Sequence, residues 1–272
     1  MNSTNRVVTS LQNPKVKRLL ALQRKPSERD AQGVFVLEGW RELGHCLRRG
    51  LSVEAVYYCP EVAGSEHCLS EIAVPEDSVW LVTPEVYSKM AYRGGTEGVM
   101  AEVRFERLRL QDLRLSPEPL VVVLESVEKP GNLGAVLRSA DAAGADAVIV
   151  CDPRGDLYNP NVVRSSLGSI FTVPCVSCSS EECVAFLKGK GISILTAQLQ
   201  DSELYYDTDM RPGSAIVLGS EAKGLTELWR RAADAHIRIP MLGELDSLNV
   251  SVSAAILLFE AVRQRRPAAL SG

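Results

Sequence analysis

The sequence predicts an α/β fold with a parallel sheet in its C-terminal part. Short apolar runs alternate with helix-like stretches along the chain. After Pro117 these runs are continuously apolar, which is typical of parallel strands covered on both faces. The 272 residues are 46% hydrophobic and 24% charged, a composition that excludes disordered, collagen-like and disulfide-scaffold proteins.

The N-terminal part predicts a small α/β module. Pro14 stands near the start of an amphipathic stretch, which indicates a helix over residues 13–24. Further strands are expected at 34–37, 53–59 and 78–82, and further helices at 40–49, near 65–72 and at 84–90.

A charged stretch with two prolines, residues 104–119, predicts a domain boundary. Beyond it we expect strands at 120–124, 147–151, 173–175, 192–195, 214–218 and 237–239. Helices are expected at 132–143, 161–171, 181–188, 225–232 and 247–266.

Charge is unevenly distributed along the chain. The net charge is −4, but residues 1–30 contain seven basic and two acidic side chains. An acidic body with one basic segment is the pattern of a protein that touches a polyanion. The alternative interpretation is an amphipathic first helix whose charged face is only solvated. The basic residues expected to make such contacts include Lys15, Lys17, Arg18, Arg24 and Arg29.

Cysteine usage and hydropathy indicate a cytoplasmic protein. Seven irregularly spaced cysteines fit free thiols in a reducing compartment, and no secretory signal is visible. The apolar runs are far shorter than the ~20 residues of a membrane span. Cys175, Cys178 and Cys183 suggest zinc, but no second pair completes four ligands. We therefore favour packing for these cysteines and expect no metal.

Three loops at predicted strand ends are rich in glycine and polar residues: 128–134, 218–224 and 241–249. Ligands of parallel α/β sheets bind beyond the carboxyl ends of the strands. We therefore expect these loops to build one pocket. The first loop does not have the G-x-G-x-x-G spacing of dinucleotide-binding proteins, which argues against an oxidoreductase.

Each of the three loops supplies a polar residue that is a candidate for binding a ligand or for catalysis. We expect Asn132 to project from the first loop, and Arg138 to reach the same edge from the second helical turn; the alternative for Arg138 is a surface ion pair. Glu221 is placed to hold a ligand, or else acts as a helix N-terminal charge. Asn249 is a polar amide in the first turn of an otherwise apolar helix, so it needs a hydrogen-bond partner. Ser247 is a further candidate site residue, and the alternative for it is a cap of the last helix.

These residues fall in motifs that resemble a known family. The three segments are Asn132-x-Gly134-x-x-x-Arg138, Leu218-Gly-Ser-Glu221-x-x-Gly224-Leu225 and Ile239-Pro-Met-x-Gly-x-x-x-Ser247-Leu-Asn249-Val-Ser-Val-Ser. They are similar, in order, to the motifs of the SpoU/TrmH family of RNA ribose 2′-O-methyltransferases in the SPOUT superfamily. The resemblance covers about residues 118–266 and extends to the helix with Arg164. Residues 13–40 resemble, less specifically, the N-terminal domain of ribosomal-RNA-directed members.

The resemblance implies an architecture and a substrate. It implies a basic arm (1–30), an RNA-binding domain (31–110) and a parallel-sheet methyltransferase domain (118–268) with a trefoil knot. It also implies a homodimer formed through the final helix. A separate N-terminal domain favours ribosomal RNA, of the 23S type, over transfer RNA. Methylation of transfer RNA is the alternative, followed by a nucleotide-dependent oxidoreductase or a non-catalytic RNA-binding protein.

The resemblance further implies roles for individual residues. S-adenosylmethionine would contact Leu218, Gly219, Ile239, Met241, Leu248 and Ala197. The catalytic set would be Arg138, Asn132, Glu221, Ser247 and Asn249, and Arg164 would join the basic residues above in binding RNA.

The reaction would be attack of a ribose 2′-hydroxyl on the sulfonium methyl group. The motifs contain no histidine to act as a base, and arginine, with a pKa above ~12, stays protonated. Our hypothesis is that Arg138 holds a target phosphate and lowers the pKa of the hydroxyl, whose proton passes to phosphate or water.

Overall fold

The structure is a computed structural model that describes residues 6–64, 74–92 and 97–265. The chain divides into two compact units. The first contains the residues up to Glu106 together with Asp156–Phe171, and the second contains Arg107–Gly155 and the residues from Thr172 onward. The predicted helix near 65–72, and His67 within it, lie outside the described residues.

The elements follow one another along the chain as β1 (Val7–Val8), α1 (Pro14–Arg24), α2 (Pro26–Gln32), β2 (Val34–Glu38), α3 (Trp40–Arg48), β3 (Val53–Tyr58), α4 (Pro60–Ala63), β4 (Val79–Val82), α5 (Pro84–Met90), β5 (Val99–Arg104), β6 (Leu120–Glu125), α6 (Pro130–Ala142), β7 (Ala147–Cys151), α7 (Pro160–Ser165), β8 (Cys175–Cys178), α8 (Ser180–Gly189), β9 (Ser193–Ala197), β10 (Glu203–Leu204), β11 (Ser214–Leu218), α9 (Glu227–Ala232), β12 (Ala235–Arg238) and α10 (Val250–Arg265). Short 3-10 turns occur at Glu76–Ser78, Leu110–Asp112 and Ser169–Phe171. Within the described residues, no helix combines the length and apolar character needed to cross a bilayer.

The first unit is built on a five-stranded sheet in the order β1-β4-β3-β5-β2, in which only β5 runs antiparallel to its neighbours. Helix α1 begins after Asn13, whose side chain accepts a hydrogen bond from the Lys15 amide. Its apolar face, which includes Val16, Leu19 and Leu22, is fully buried in the core of this unit. The basic N-terminal segment is therefore built into the first unit.

Strand β5 was missed in the sequence because it carries charged residues. It is central in the sheet, and Glu102 within it is fully buried. Its carboxylate accepts hydrogen bonds from the Tyr57 hydroxyl, at 2.9 Å, and from Arg18. A buried carboxylate is tolerated when it is hydrogen-bonded and paired in this way, but its charge conceals the apolar pattern of a strand.

The second unit confirms the predicted parallel sheet. Its seven strands are all parallel, in the order β10-β12-β9-β11-β6-β7-β8. All residues of β6, β7 and β11 are buried, as their continuous apolar sequences predict. The carboxyl ends of β11, β9 and β12 are adjacent at one edge of this sheet, where the second and third predicted loops begin.

Two of the predicted helices differ from the structure by three residues or more at one end. The last helix begins at Val250 rather than at 247, because the Asn249 side chain caps it by accepting a hydrogen bond from the Ser251 amide at 2.9 Å. The helix expected over 161–171 ends at Ser165, since Leu167 and Gly168 adopt positive φ angles. A 3-10 turn follows, and its Phe171 stacks on Phe35 within the first unit. This segment was expected in the C-terminal domain.

Candidate functional site

A cavity of about 560 Å³ lies in the second unit, where the loops after β9, β11 and β12 meet. Its volume is within the range of small-molecule sites, roughly 300–1,000 Å³. The wall includes all six residues for which a cofactor contact is predicted: Ala197, Leu218, Gly219, Ile239, Met241 and Leu248.

The loop after β11 closes on itself at the cavity wall. The Gly224 amide donates to the Ser220 carbonyl at 2.9 Å, and Gly224 adopts a positive φ of 65°. A Cβ atom at Gly219 would overlap the backbone carbonyl of Gly224. Glycine is therefore required at position 219 for the loop to close in this way, and Gly219 itself lines the cavity.

Gln198 adds a polar group to this wall that the sequence analysis did not single out. Its Nε2 donates to the Gln200 carbonyl at 2.9 Å. Its Oε1 is buried and has no hydrogen-bond partner within the described part of the chain. A buried acceptor without a partner is costly, so a ligand N–H group, such as the exocyclic amine of an adenine ring, fits this position.

Side chains from the three loops meet beside the cavity. The Asn132 amide donates to the Glu221 carboxylate at 2.7 Å. The Asn249 amide donates to the same Glu221 oxygen at 3.0 Å and to the Asn132 carbonyl oxygen at 3.2 Å. We call these three residues the amide–carboxylate network. Asn249 and Glu221 also line the cavity, so the network fixes polar groups at its edge.

Lys129 is the second residue that the sequence analysis did not assign. It lines the cavity, and its ammonium group pairs with Glu221. Hydrogen bonds from Lys129 and Asn132 hold the pKa of Glu221 below its usual range, so this side chain is a carboxylate at neutral pH. In the sequence, the one feature that points to Lys129 as a site residue is its position in the first glycine-rich loop.

Two predicted catalytic residues lie outside the amide–carboxylate network. Ser247 is exposed and lines the cavity. Arg138 is exposed on α6 and is absent from the cavity wall. Asn132 lies within the first turn of α6. At 3.6 residues per turn, a residue six positions later points away from it. The structure therefore separates Arg138 from Asn132.

The basic residues of the first unit fall into two groups. Arg29 is only 1% exposed, pairs with Asp156 and donates to the backbone carbonyls of Leu22 and Gln23. Arg18 donates to Gln32 at 2.7 Å and to Glu54 at 2.9 Å, as well as to Glu102. The prediction that Arg29 contacts RNA is corrected, because its guanidinium group is buried and committed to the fold. Arg18 is half-buried, and its contact with RNA stays a prediction.

The other basic residues remain at the surface. Lys17 and Arg24 are exposed on α1, and Arg164 is exposed on α7. The Lys15 ammonium lies 5.2 Å from the centre of the Trp80 ring, and the Arg6 guanidinium lies 5.1 Å from it. The Trp80 ring therefore lies close to two cations, Lys15 and Arg6.

Comparison with known proteins finds two family models that match the chain. The SpoU rRNA Methylase family matches residues 119–259, and the MRM3-like substrate binding domain matches residues 13–101. The chain is 29% identical over 252 residues to a 23S rRNA (guanosine(2553)-2′-O)-methyltransferase of Bacillus subtilis, which covers 93% of this chain and 97% of the relative.

Solved structures agree with this assignment. A crystal structure of an RNA 2′-O ribose methyltransferase is 39% identical, with a TM-score of 0.84 over 96% of this chain and 100% of the other. An AdoMet-bound rRNA methyltransferase from Sinorhizobium meliloti is 30% identical, with a TM-score of 0.85 over 94% and 97% of the two chains. With its glycine loop, its cavity and its amide–carboxylate network in the matched region, the chain belongs to the SpoU rRNA methylase family.

Proposed function

We propose that this protein transfers the methyl group of S-adenosylmethionine to a ribose 2′-hydroxyl of ribosomal RNA of the 23S type. The observation that carries the proposal is the amide–carboxylate network at the edge of the cavity. It combines a ligand cavity with fixed polar groups from all three family motifs. The names of the relatives support ribosomal RNA as the substrate class.

The cavity residues fit the cofactor. An apolar wall is formed by Ala197, Leu218, Ile239, Met241 and Leu248. Gly219 adds backbone to this wall without a side chain, and Gln198 adds a buried acceptor. S-adenosylmethionine supplies an electrophilic methyl group on positive sulfur. The protein must therefore hold the ribose in line with that methyl group and accommodate the proton of the attacking hydroxyl.

Different residues of the chain position the ribose and accommodate the proton. Glu221 stays ionised and locks the orientation of the Asn132 and Asn249 amides, and Ser247 lies on the same wall. Arg138 binds a phosphate of the target nucleotide from the exposed face of α6, which lowers the pKa of the hydroxyl. The proton then passes to phosphate or water, since arginine remains protonated.

We also infer a homodimer through α10. Val252 and Phe259 are 46% and 48% exposed on this helix, whereas Leu258 is buried in the unit. Large apolar side chains exposed along one helix are suited to a subunit interface. Ala255 and Ile256 on the same helix are half-buried.

A trefoil knot at the C-terminal end of the second unit is likewise part of the proposal. Helix α10 packs against α6 and β11, which lie much earlier in the chain. Asn249, just before α10, is bonded to the two earlier loops. These contacts return the final segment to earlier loops of the same unit, which supports the proposal of a knot.

We place the protein in the cytoplasm. The six cysteines that the structure describes are all free thiols, which suits a reducing compartment that also contains ribosomal RNA.

Methyl transfer from labelled S-adenosylmethionine tests the function. Purified protein is incubated with ribosomal RNA or with transfer RNA, and the RNA is digested to nucleosides. We expect label in 2′-O-methylnucleosides of ribosomal RNA. Label confined to transfer RNA would contradict the substrate, and absence of cofactor binding would contradict the function itself.

RNA docking by the first unit gives a separate prediction. The double variant Lys17→Ala/Arg24→Ala removes two exposed cations of α1 and is expected to weaken RNA binding. The slope of log affinity against log salt should fall by about 1.5, at roughly 0.7–0.9 per lost phosphate contact. Binding is measured by filter retention over a salt series.

The matched control is Lys188→Ala/Lys190→Ala, which removes two exposed lysines at the end of α8 in the second unit. Its salt slope is expected to equal that of the wild type. An unchanged slope for the α1 variant would mean that this helix face is only solvated.

A further inference from the structure

Three cysteine side chains converge in the second unit, away from the cavity. Cys151 ends β7, Cys178 ends β8, and Cys183 lies on α8. Their sulfur atoms all lie within 4.8 Å of one another. None of the three lines the cofactor cavity. Cys151 comes from another strand, which is why the sequence pattern of Cys175, Cys178 and Cys183 did not reveal this set.

We propose that Cys151, Cys178 and Cys183, the thiol cluster, bind one divalent d10 cation of the zinc class through three thiolates. Metal–sulfur bonds of about 2.3 Å place the ligand sulfurs of one ion roughly 4 Å apart, which these side chains reach with small adjustments. Soft thiolate ligands select d10 ions over magnesium or calcium.

The backbone around the thiol cluster is already fixed. Cys151 and Cys178 are paired residues in the ladder between β7 and β8. Helix α8 is held at its start by a capping box between Ser179 and Glu182. The three thiols are therefore brought together by the fold itself, which reduces the entropic cost of binding an ion.

Exposure and charge favour three protein ligands and a divalent ion. Cys151 and Cys183 are fully buried, whereas Cys178 is half-buried and leaves room for water as a fourth ligand. In the two residues after Cys178, the Ser179 amide donates to the Glu182 carboxylate at 2.9 Å and the Ser180 hydroxyl donates to the Asp152 carboxylate at 2.5 Å. With these two carboxylates close to Cys178, a divalent cation offsets more negative charge than a cuprous ion does.

Cadmium is the probe for the test, because its bonds to thiolate give a charge-transfer absorption in the ultraviolet. The full chain is reduced, freed of metal and titrated with Cd²⁺. We expect saturation at one equivalent in the wild type. Loss of one thiolate in Cys178→Ser should weaken binding by at least about a hundredfold, since losing even a group that only supports a ligand costs about 10–100-fold.

The matched control is Cys175→Ser. Cys175 lies three residues before Cys178 on β8, so its side chain points to the other face of the sheet. This variant should bind Cd²⁺ as the wild type does. S-adenosylmethionine binding, measured in each variant, confirms that the unit is folded.

Cadmium NMR of the wild type gives a reading that does not depend on any variant, since its chemical shift reports the number of sulfur ligands. A resonance in the three-sulfur range is expected. The proposal is overturned if no saturable absorption appears, if Cys178→Ser binds as tightly as the wild type, or if Cys175→Ser loses binding equally. Formation of a disulfide within the thiol cluster, without metal binding, would also overturn it.

Discussion

Replacing Gly219 with alanine is expected to weaken S-adenosylmethionine binding by about a hundredfold, since forcing atoms into a packed site costs ~1–3 kcal/mol. The added Cβ would overlap the carbonyl group of Gly224, which is backbone and has no rotamer to change. The loop can accept it only by opening the contact between Ser220 and Gly224. Glu221 lies inside that loop, so the amide–carboxylate network would be displaced as well.

Isothermal titration calorimetry with S-adenosylmethionine measures this effect. The control is Gly189→Ala at the end of α8, where an added Cβ meets nothing within 4 Å. Its affinity should match that of the wild type. Normal affinity in Gly219→Ala would show that the loop does not hold the cofactor.

Arg138→Ala is expected to lower the rate of methyl transfer by about 10²–10³, the usual cost of losing one charged group that stabilises a transition state. Cofactor binding should be unchanged, because Arg138 does not line the cavity. Arg138→Lys should recover only part of the rate, since lysine keeps the charge but not the two-pronged hydrogen bonding to phosphate.

Single-turnover methyl transfer at saturating cofactor separates these variants. Arg231→Ala serves as the control, because Arg231 is an exposed arginine of the same unit paired with Glu227 on α9. It should keep the wild-type rate. Full activity in Arg138→Lys would refute bidentate phosphate binding, and full activity in Arg138→Ala would remove the residue from the mechanism.

Much of the second unit could be predicted from the sequence because its strands are buried on both faces. Strands β6, β7 and β11 carry polar residues only at their ends, as Glu125 and Ser214, so their apolar runs stand out. In the first unit, buried charges weaken the pattern. Glu102 interrupts β5, and the short, largely polar helix α2 has only Arg29 as a buried residue.

The meeting of the three loops was also predictable, since parallel strands bring their carboxyl ends to one edge. The individual hydrogen-bond partners within the site could not be predicted from the sequence. Gln198 is recognised only by its unpaired buried oxygen, and Lys129 only by its contact with Glu221. Arg138 is exposed because Leu133, Val136 and Leu137 form the buried face of α6, and Asn132 lies in the first turn of that helix.

The double use of Asn249 couples the site to the stability of a helix. This side chain caps α10 through the Ser251 amide and, at the same time, bonds Asn132, 117 positions earlier in the chain. Fraying of the first turn of α10 therefore removes an amide from the site. By thermodynamic linkage, any ligand that requires the assembled network must stabilise that turn to the same extent. The stability of the first turn of α10 is therefore expected to rise when a ligand occupies the site of this enzyme.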